Sequence, residues 1–159
     1  MKCSTSLWSA DLSDLAAEIK RVEPYSERFH LDVADGRVID KFLFFPDLVK
    51  AMRPHTDLPF EVHLITEAPD RWVEPFVDAG GDVFIFYLNS GDDEDGFAVI
   101  DQILGHEKQV GISLRVADSL NLLEPYWEQI DIVTIMGTDS GNKGVGMDPS
   151  VPARIVRCR

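Results

Sequence analysis

"ERFHLDVADGRV", residues 27–38, alternates through its first half: Phe29, Leu31 and Val33 are apolar, and His30 and Asp32 fall between them. Successive side chains on a strand point to opposite faces. The three apolar residues therefore share one face, and the imidazole and carboxylate share the other. Asp35-Gly36 then supplies a turn. The reading is a strand with one greasy face and with two chemically active groups near its C-terminal end. In parallel α/β proteins that end of the strands is where ligands bind.

Outward from this strand the pattern is strand then helix, repeated. "CSTSL" is a short strand candidate, and "DLSDLAAEIKRVE" follows with Leu12, Leu15, Ile19 and Val22 on one helical face. After "RFHLDV" come the helix "PDLVKAMR", the strand "FEVHLI" and the helix "PDRWVEPFVDAGG", stopped by Gly80-Gly81. "DVFIFYL" is apolar almost throughout, as a strand covered on both faces should be. "GFAVIDQILG" reads as a helix, "QVGISL" as a strand, "SLNLLEPYWEQ" as a helix capped by Ser119 or Asp118, and "DIVTIM" as a sixth strand. A glycine-rich loop, "GTDSGNKGVG", precedes a final helix in "PSVPARIVRCR". Unbroken alternation implies a parallel sheet, because parallel strands need crossover connections. An open doubly wound sheet and a (β/α)₈ barrel both fit. On pattern alone the open sheet suits 159 residues better, since a barrel needs eight units and typically ~200 residues or more.

The net charge of −13 argues against a nucleic-acid partner and against attraction to an anionic membrane. No apolar run approaches the ~18 residues of a membrane span, and the N-terminus lacks the apolar core of a signal peptide. Cys3 and Cys158 stand at opposite ends with no zinc or redox spacing, which fits a reducing cytoplasm. The expectation is a single cytoplasmic domain over residues 1–159.

His63 lies in "FEVHLI", near the C-terminal end of the next strand. Two imidazoles and a carboxylate from neighbouring strands would form a donor set suited to zinc, iron, cobalt or manganese. A hydrogen-bonded His–Asp pair in a polar core, with His63 unrelated, is the alternative that the residues leave open. "NSGDDEDG", residues 89–96, reads as a solvated loop opening a helix rather than a cation site, since it lacks EF-hand spacing. "GTDSGNKGVG" could cradle a phosphate with its backbone N–H groups and Lys143, or be a plain flexible loop. Trp8, Trp72 and Trp127 read as core or helix-packing residues, His55 and His106 as groups at helix ends, and Arg37 and Lys41 as part of a solvated loop.

In order and spacing, "STSLWSADLSDLAAEI", "FHLDVADG", "FEVHLITEAPDRWVEPFVDAGGD" and "IVTIMGTDSG" resemble the ribulose-phosphate 3-epimerases. The likeness runs over essentially the whole chain. It implies a (β/α)₈ TIM barrel of the ribulose-phosphate-binding type, incomplete here at about six units. It also implies a metal-dependent epimerase that inverts C3 of a phosphorylated ketose through an enediolate. By the same resemblance, His30, Asp32 and His63 are ligands of one divalent ion (Zn, Fe, Co or Mn). Asp32 doubles as one of two acid/base groups. Ser6, His63 and Met136 touch the substrate, a small sugar phosphate, and Gly141, Asn142, Lys143 and Gly144 belong to the loop that closes over it. A homo-oligomer is expected.

The resemblance also has gaps. The family's second acid, an aspartate on the seventh strand and fourth metal ligand, has no counterpart, nor do the main phosphate loops. The expectation is therefore a C-terminally truncated barrel, whose first and sixth strands are open edges. Ala34, Ile65, "YLN" at 87–89, "RVADS" after the fifth strand and "DSGNKGVG" in the lid all depart from the family's pattern. They alter the wall around the sugar while keeping the metal face. An epimerase or isomerase for another ketose phosphate, and a non-catalytic sugar-phosphate-binding homologue, stand as alternatives.

Overall fold

The computed structural model describes residues 3–88 and 93–158. Six strands, β1 (Ser4–Ser6), β2 (Arg28–Ala34), β3 (Phe60–Ile65), β4 (Val83–Tyr87), β5 (Gln109–Leu114) and β6 (Ile132–Ile135), pair in parallel in strict chain order. That order settles the architecture. A doubly wound sheet reverses its strand order at a switch point, and this one never does. Parallel crossovers are right-handed as a rule, and added always to the same edge they lay the helices on one face of the sheet while the other face curls inward. The chain is six strands of a (β/α) barrel, and the open sheet that pattern and length favoured is not what forms.

The helices are α1 (Leu15–Val22), α2 (Pro46–Met52), α3 (Asp70–Asp78), α4 (Asp93–Gly105) and α5 (Val151–Arg157). Asp14 caps α1 by accepting from the Ala17 N–H at 3.2 Å, and Leu15 and Ile19 are buried behind it. The segment read as a helix from Ser119 is instead a 3-10 turn over Leu120–Tyr126, capped by the Ser119 hydroxyl. Pro125 supplies no N–H there and would cost an α-helical ladder ~3 kcal/mol, a cost that α3 bears at Pro75.

Alternation along each strand sorts the residues. Phe29, Leu31 and Val33 of β2, Phe60, Val62 and Leu64 of β3, Phe84 and Phe86 of β4, and Val110, Ile112 and Leu114 of β5 all join the core beneath the helices. Burying each such side chain is worth ~1.5–3 kcal/mol, so this layer holds the fold together. The inner face is different. On β4 and β5 it carries Ile85 and Gly111, where a Cβ on Gly111 would come 2.8 Å from Ile85 and 3.3 Å from Ile132. On β2 and β3 it carries Arg28, His30, Asp32, Glu61 and His63, so a polar cluster occupies one side of the barrel interior.

Among the described residues, β1 and β6 each pair on one side only. Beside β6 a cleft of about 500 Å³ is lined by Trp127, Ile130, Ile132, Val133, Ile135 and Ile155. Trp127, read as a core or helix-packing residue, is 44% exposed there and lies outside the core, whereas Trp8 and Trp72 pack against it. No helix among the described residues is long and apolar enough to cross a membrane.

Candidate active site

His30 and Asp32 point inward from β2, and register places Asp32 beside His63 of β3. Side-chain atoms of the three lie within 4.8 Å of one another. Asp32 Oδ1 is 3.1 Å from His30 Nε2 and 3.5 Å from His63 Nδ1. Two ligands of a tetrahedral ion with bonds of ~2.1 Å sit about 3.4 Å apart. Both Asp32 distances lie close to that spacing, and the mixed nitrogen and oxygen donor set suits a first-row metal. His63 is almost wholly buried, and its Nε2 has no hydrogen-bond partner among the described residues. A buried polar atom of this kind is expensive unless something pairs with it or fixes the ring. The His30 and His63 rings meet edge to face at 5.3 Å, and Tyr87 packs on His63 at 5.0 Å.

The electrostatics follow from this crowding. Burial alone would depress the His30 pKa, but hydrogen bonds to Asp32 and Glu61 overcome it and raise it to about 9. Burial would raise Asp32, yet His30 and His63 hold its carboxyl well below the usual carboxylate range. His63 moves the other way: burial dominates and lowers its pKa, so its ring is neutral. Glu61 is likewise held down, against its burial, by His30, Ser4 and Arg28.

Ser6, at the end of β1, donates to Asp32 Oδ2 at 3.2 Å. This leaves Oδ1 turned toward the two imidazoles. Met136 follows β6 and packs with Ala34, Ile65 and Tyr87 at the mouth. The loop beyond it folds over that mouth: Ser140 meets the Tyr87 hydroxyl at 2.7 Å, and Gly141, with φ +86°, lies against Ile39. Asn142 and Gly141 line a polar recess with Asp40 and Lys41. Lys143 is turned elsewhere. Its ammonium donates to the Trp8 carbonyl at 2.7 Å and sits 3.8 Å from the centre of the Trp8 ring. Gly144 has φ +73° and is exposed. His30, Asp32, His63 and Ser6 thus form one hydrogen-bonded group, while the loop residues form its cover. Arg37 pairs with Glu67 at 3.4 Å on the surface. Residues 89–92 of the acidic loop, including Asn89 of "YLN", lie outside the described residues.

Sequence reasoning missed Glu61 and Arg28. Glu61 is buried on the inner face of β3, two residues before His63, and accepts from His30 Nδ1 at 2.7 Å. Arg28 stands two before His30 and donates to Glu61 at 3.0 Å. The period of two that paired His30 with Asp32 would have found both.

Comparison with known proteins gives a consistent picture. The family model described as the ribulose-phosphate 3 epimerase family matches residues 2–159. Ribulose-phosphate 3-epimerase of Bacillus subtilis is 31% identical over 156 residues, covering 98% of this chain and 71% of that protein. The Synechocystis enzyme is 32% identical over 151 residues, covering 94% of this chain and 66% of its own. The chloroplastic enzyme of Arabidopsis thaliana is 31% identical over 142 residues, covering 89% and 50%. The chain thus spans between half and about seven tenths of these relatives. Among solved structures, 3-hexulose-6-phosphate synthase superposes with a TM-score of 0.60 at 16% identity, over 91% of this chain and 67% of that one. A mandelate oxidase variant gives 0.53 at 22%, over 79% and 45%. At these identities the two structures speak for the fold alone.

Proposed function

The chain belongs to the ribulose-phosphate 3-epimerase family, and we propose that the protein inverts C3 of a phosphorylated ketose of the ribulose 5-phosphate and xylulose 5-phosphate type. The observation that carries this is the convergence of His30, Asp32 and His63 on one point at the C-terminal ends of β2 and β3. These three residues would hold one divalent ion. When bound, that ion supplies Lewis-acid stabilisation of negative charge developing on the sugar oxygens.

Asp32 takes the proton from one face of C3. Its depressed pKa keeps it ionised at neutral pH, ready to accept a proton. The same depression makes it a weak base, and the burden shifts to stabilising the carbanion it leaves behind. Ser6 fixes the carboxylate plane by donating to Oδ2. His63, neutral and buried, can donate or accept without adding a charge that would repel a metal. We assign to the loop after β6, tied to Tyr87 through Ser140, the role of shielding the exchangeable proton from water. Inversion also needs a second acid to return a proton to C3 from the side opposite Asp32; Glu61, the other carboxylate bonded to His30, is committed to His30, Ser4 and Arg28, so that proton comes from a group other than these two. We assign the substrate phosphate to the loop around Gly141, Asn142 and Gly144. Lys143 would reach that phosphate only by leaving Trp8. We assign this chemistry to the cytoplasm and to a homo-oligomer, with residues 1–159 forming part of one (β/α) barrel domain. A different ketose phosphate is the second reading, favoured by Tyr87, whose ring and hydroxyl stand between His63 and the loop.

The test is net turnover. Metal-loaded protein supplied with ribulose 5-phosphate should produce xylulose 5-phosphate, read by NMR, and chelation should stop it. Asp32→Asn should reduce the rate by at least ~10²-fold at matched metal content. Turnover that survives both treatments would overturn the assignment.

A further inference from the structure

Glu61 is placed where a metal-holding histidine needs support. It faces His30 across the β2–β3 pairing, and its Oε1 accepts from His30 Nδ1 at 2.7 Å and from the Ser4 hydroxyl at 2.9 Å. Its Oε2 accepts from the Arg28 guanidinium at 3.0 Å. The carboxylate is therefore fixed by partners on two other strands, Ser4 of β1 and Arg28 of β2, before it touches the imidazole. Buried in this way it has few other rotamers, and so neither does the ring it holds.

We propose that Glu61 is the positioning residue of the metal centre, holding the proton of His30 on Nδ1 so that Nε2 presents its lone pair to the ion. This rests on the reading of His30, Asp32 and His63 as metal ligands. An imidazole binds a metal through one nitrogen, and the hydrogen bond at the other decides which one. Here the nitrogen facing Asp32 and His63 is Nε2, at 3.1 Å from Asp32 Oδ1. A partner on Nδ1 that only accepts, as a carboxylate does, leaves Nε2 for coordination. Its negative charge also makes the ring a stronger donor toward the metal. Ser4 and Arg28 act one step further out by steering the carboxylate. His63 lacks such a partner, since its Nε2 has none among the described residues. The orientation of the centre thus depends on one histidine held rigidly and another held by packing.

The experiment is a Co²⁺ titration of the purified metal-free chain, followed by visible absorption and by competition with a chelator. The variants are Glu61→Gln, Glu61→Leu and Arg28→Gln, with folding monitored by far-UV circular dichroism. Gln keeps the shape and an acceptor but loses the charge, so affinity should fall ~10-fold, and toward ~100-fold in the Leu variant, with a shifted cobalt spectrum in both. Arg28→Gln breaks the ion pair but leaves the contact to His30, so its affinity should stay within about threefold of the parent. Because Gln is isosteric, the proposal remains testable if the Leu variant does not fold. A Gln variant with parental affinity and spectrum would overturn it. So would an Arg28→Gln variant that loses as much as Glu61→Gln, since Glu61 would then act only through the ion pair. A parent chain that binds no cobalt would overturn the metal site itself, which separates the two failures.

Discussion

In the metal-free chain, His30 should make stability fall as pH rises from neutral into the alkaline range. Its ring lies between two carboxylates, with Nε2 at 3.1 Å from Asp32 and Nδ1 at 2.7 Å from Glu61. The folded protein therefore favours the protonated form. Its pKa rises from an ordinary value near 6.5 to about 9. A group raised on folding contributes fully below its unfolded pKa, and that contribution is lost as pH climbs through the folded one. At about 1.4 kcal/mol per pH unit, the interval corresponds to on the order of 3 kcal/mol, a large part of a single domain's stability. His63 works oppositely. Its pKa is lowered by burial, so its contribution is present above about pH 6.5 and fades as pH falls below that. Asp32 and Glu61, both depressed, lose theirs further down, in the acid range. Stability should therefore peak near neutrality. Urea unfolding of chelator-treated protein at fixed ionic strength, between about pH 6.5 and 9, measures the alkaline limb. His30→Gln should abolish that limb and also shrink the acid limb, because His30 leads the groups that hold Asp32 and Glu61 down. A parent that is flat across this range, or a His30→Gln variant with the same slope, would refute the reasoning.

Gly111→Ala should destabilise the chain by ~1–3 kcal/mol, because the added Cβ would strike Ile85 on one side and Ile132 on the other; urea melts measure it. Tyr87→Phe removes the hydroxyl that meets Ser140, so amide exchange should quicken across residues 136–148 and KM should rise while metal content is unchanged. With β1 and β6 paired on one side only and Trp127, Ile155 and Val156 exposed, the 159-residue chain should self-associate at micromolar concentration; a monodisperse monomer in sedimentation velocity would contradict this. Metal addition should raise Tm in the parent and leave it unmoved in His63→Ala.

Period-two alternation in "RFHLDV" and "FEVHLI" was enough to place His30, Asp32 and His63 on the inner face, because burial of the opposite face pins the register. The curl of the sheet was not legible in the same way. Strand order is a property of crossovers, and each βα unit reads alike whether the next strand is added to the same edge or the other. The family likeness, not periodicity, pointed to the barrel. Glu61 escaped notice because a lone Glu in a strand resembles a solvent-facing residue until Ser4, Arg28 and His30 are seen around it. Lys143 was read toward a phosphate from its glycine-rich neighbours. Its tie to Trp8 spans 135 positions of sequence, which no local pattern reports. Pro125 weighs against the helix drawn through Leu120–Tyr126, although Pro75 is tolerated inside α3.

The account stands most directly on proton transfer at C3. Metal-loaded protein incubated with ribulose 5-phosphate in D₂O should wash deuterium into C3, seen as loss of the C3–H signal by NMR. Exchange detects abstraction by Asp32 even where little product accumulates. The account predicts exchange that depends on the metal, is lost on chelation, and falls by at least ~10²-fold in Asp32→Asn loaded to the same metal content. Protein that binds the ion and the sugar phosphate yet leaves the C3 proton in place would contradict it.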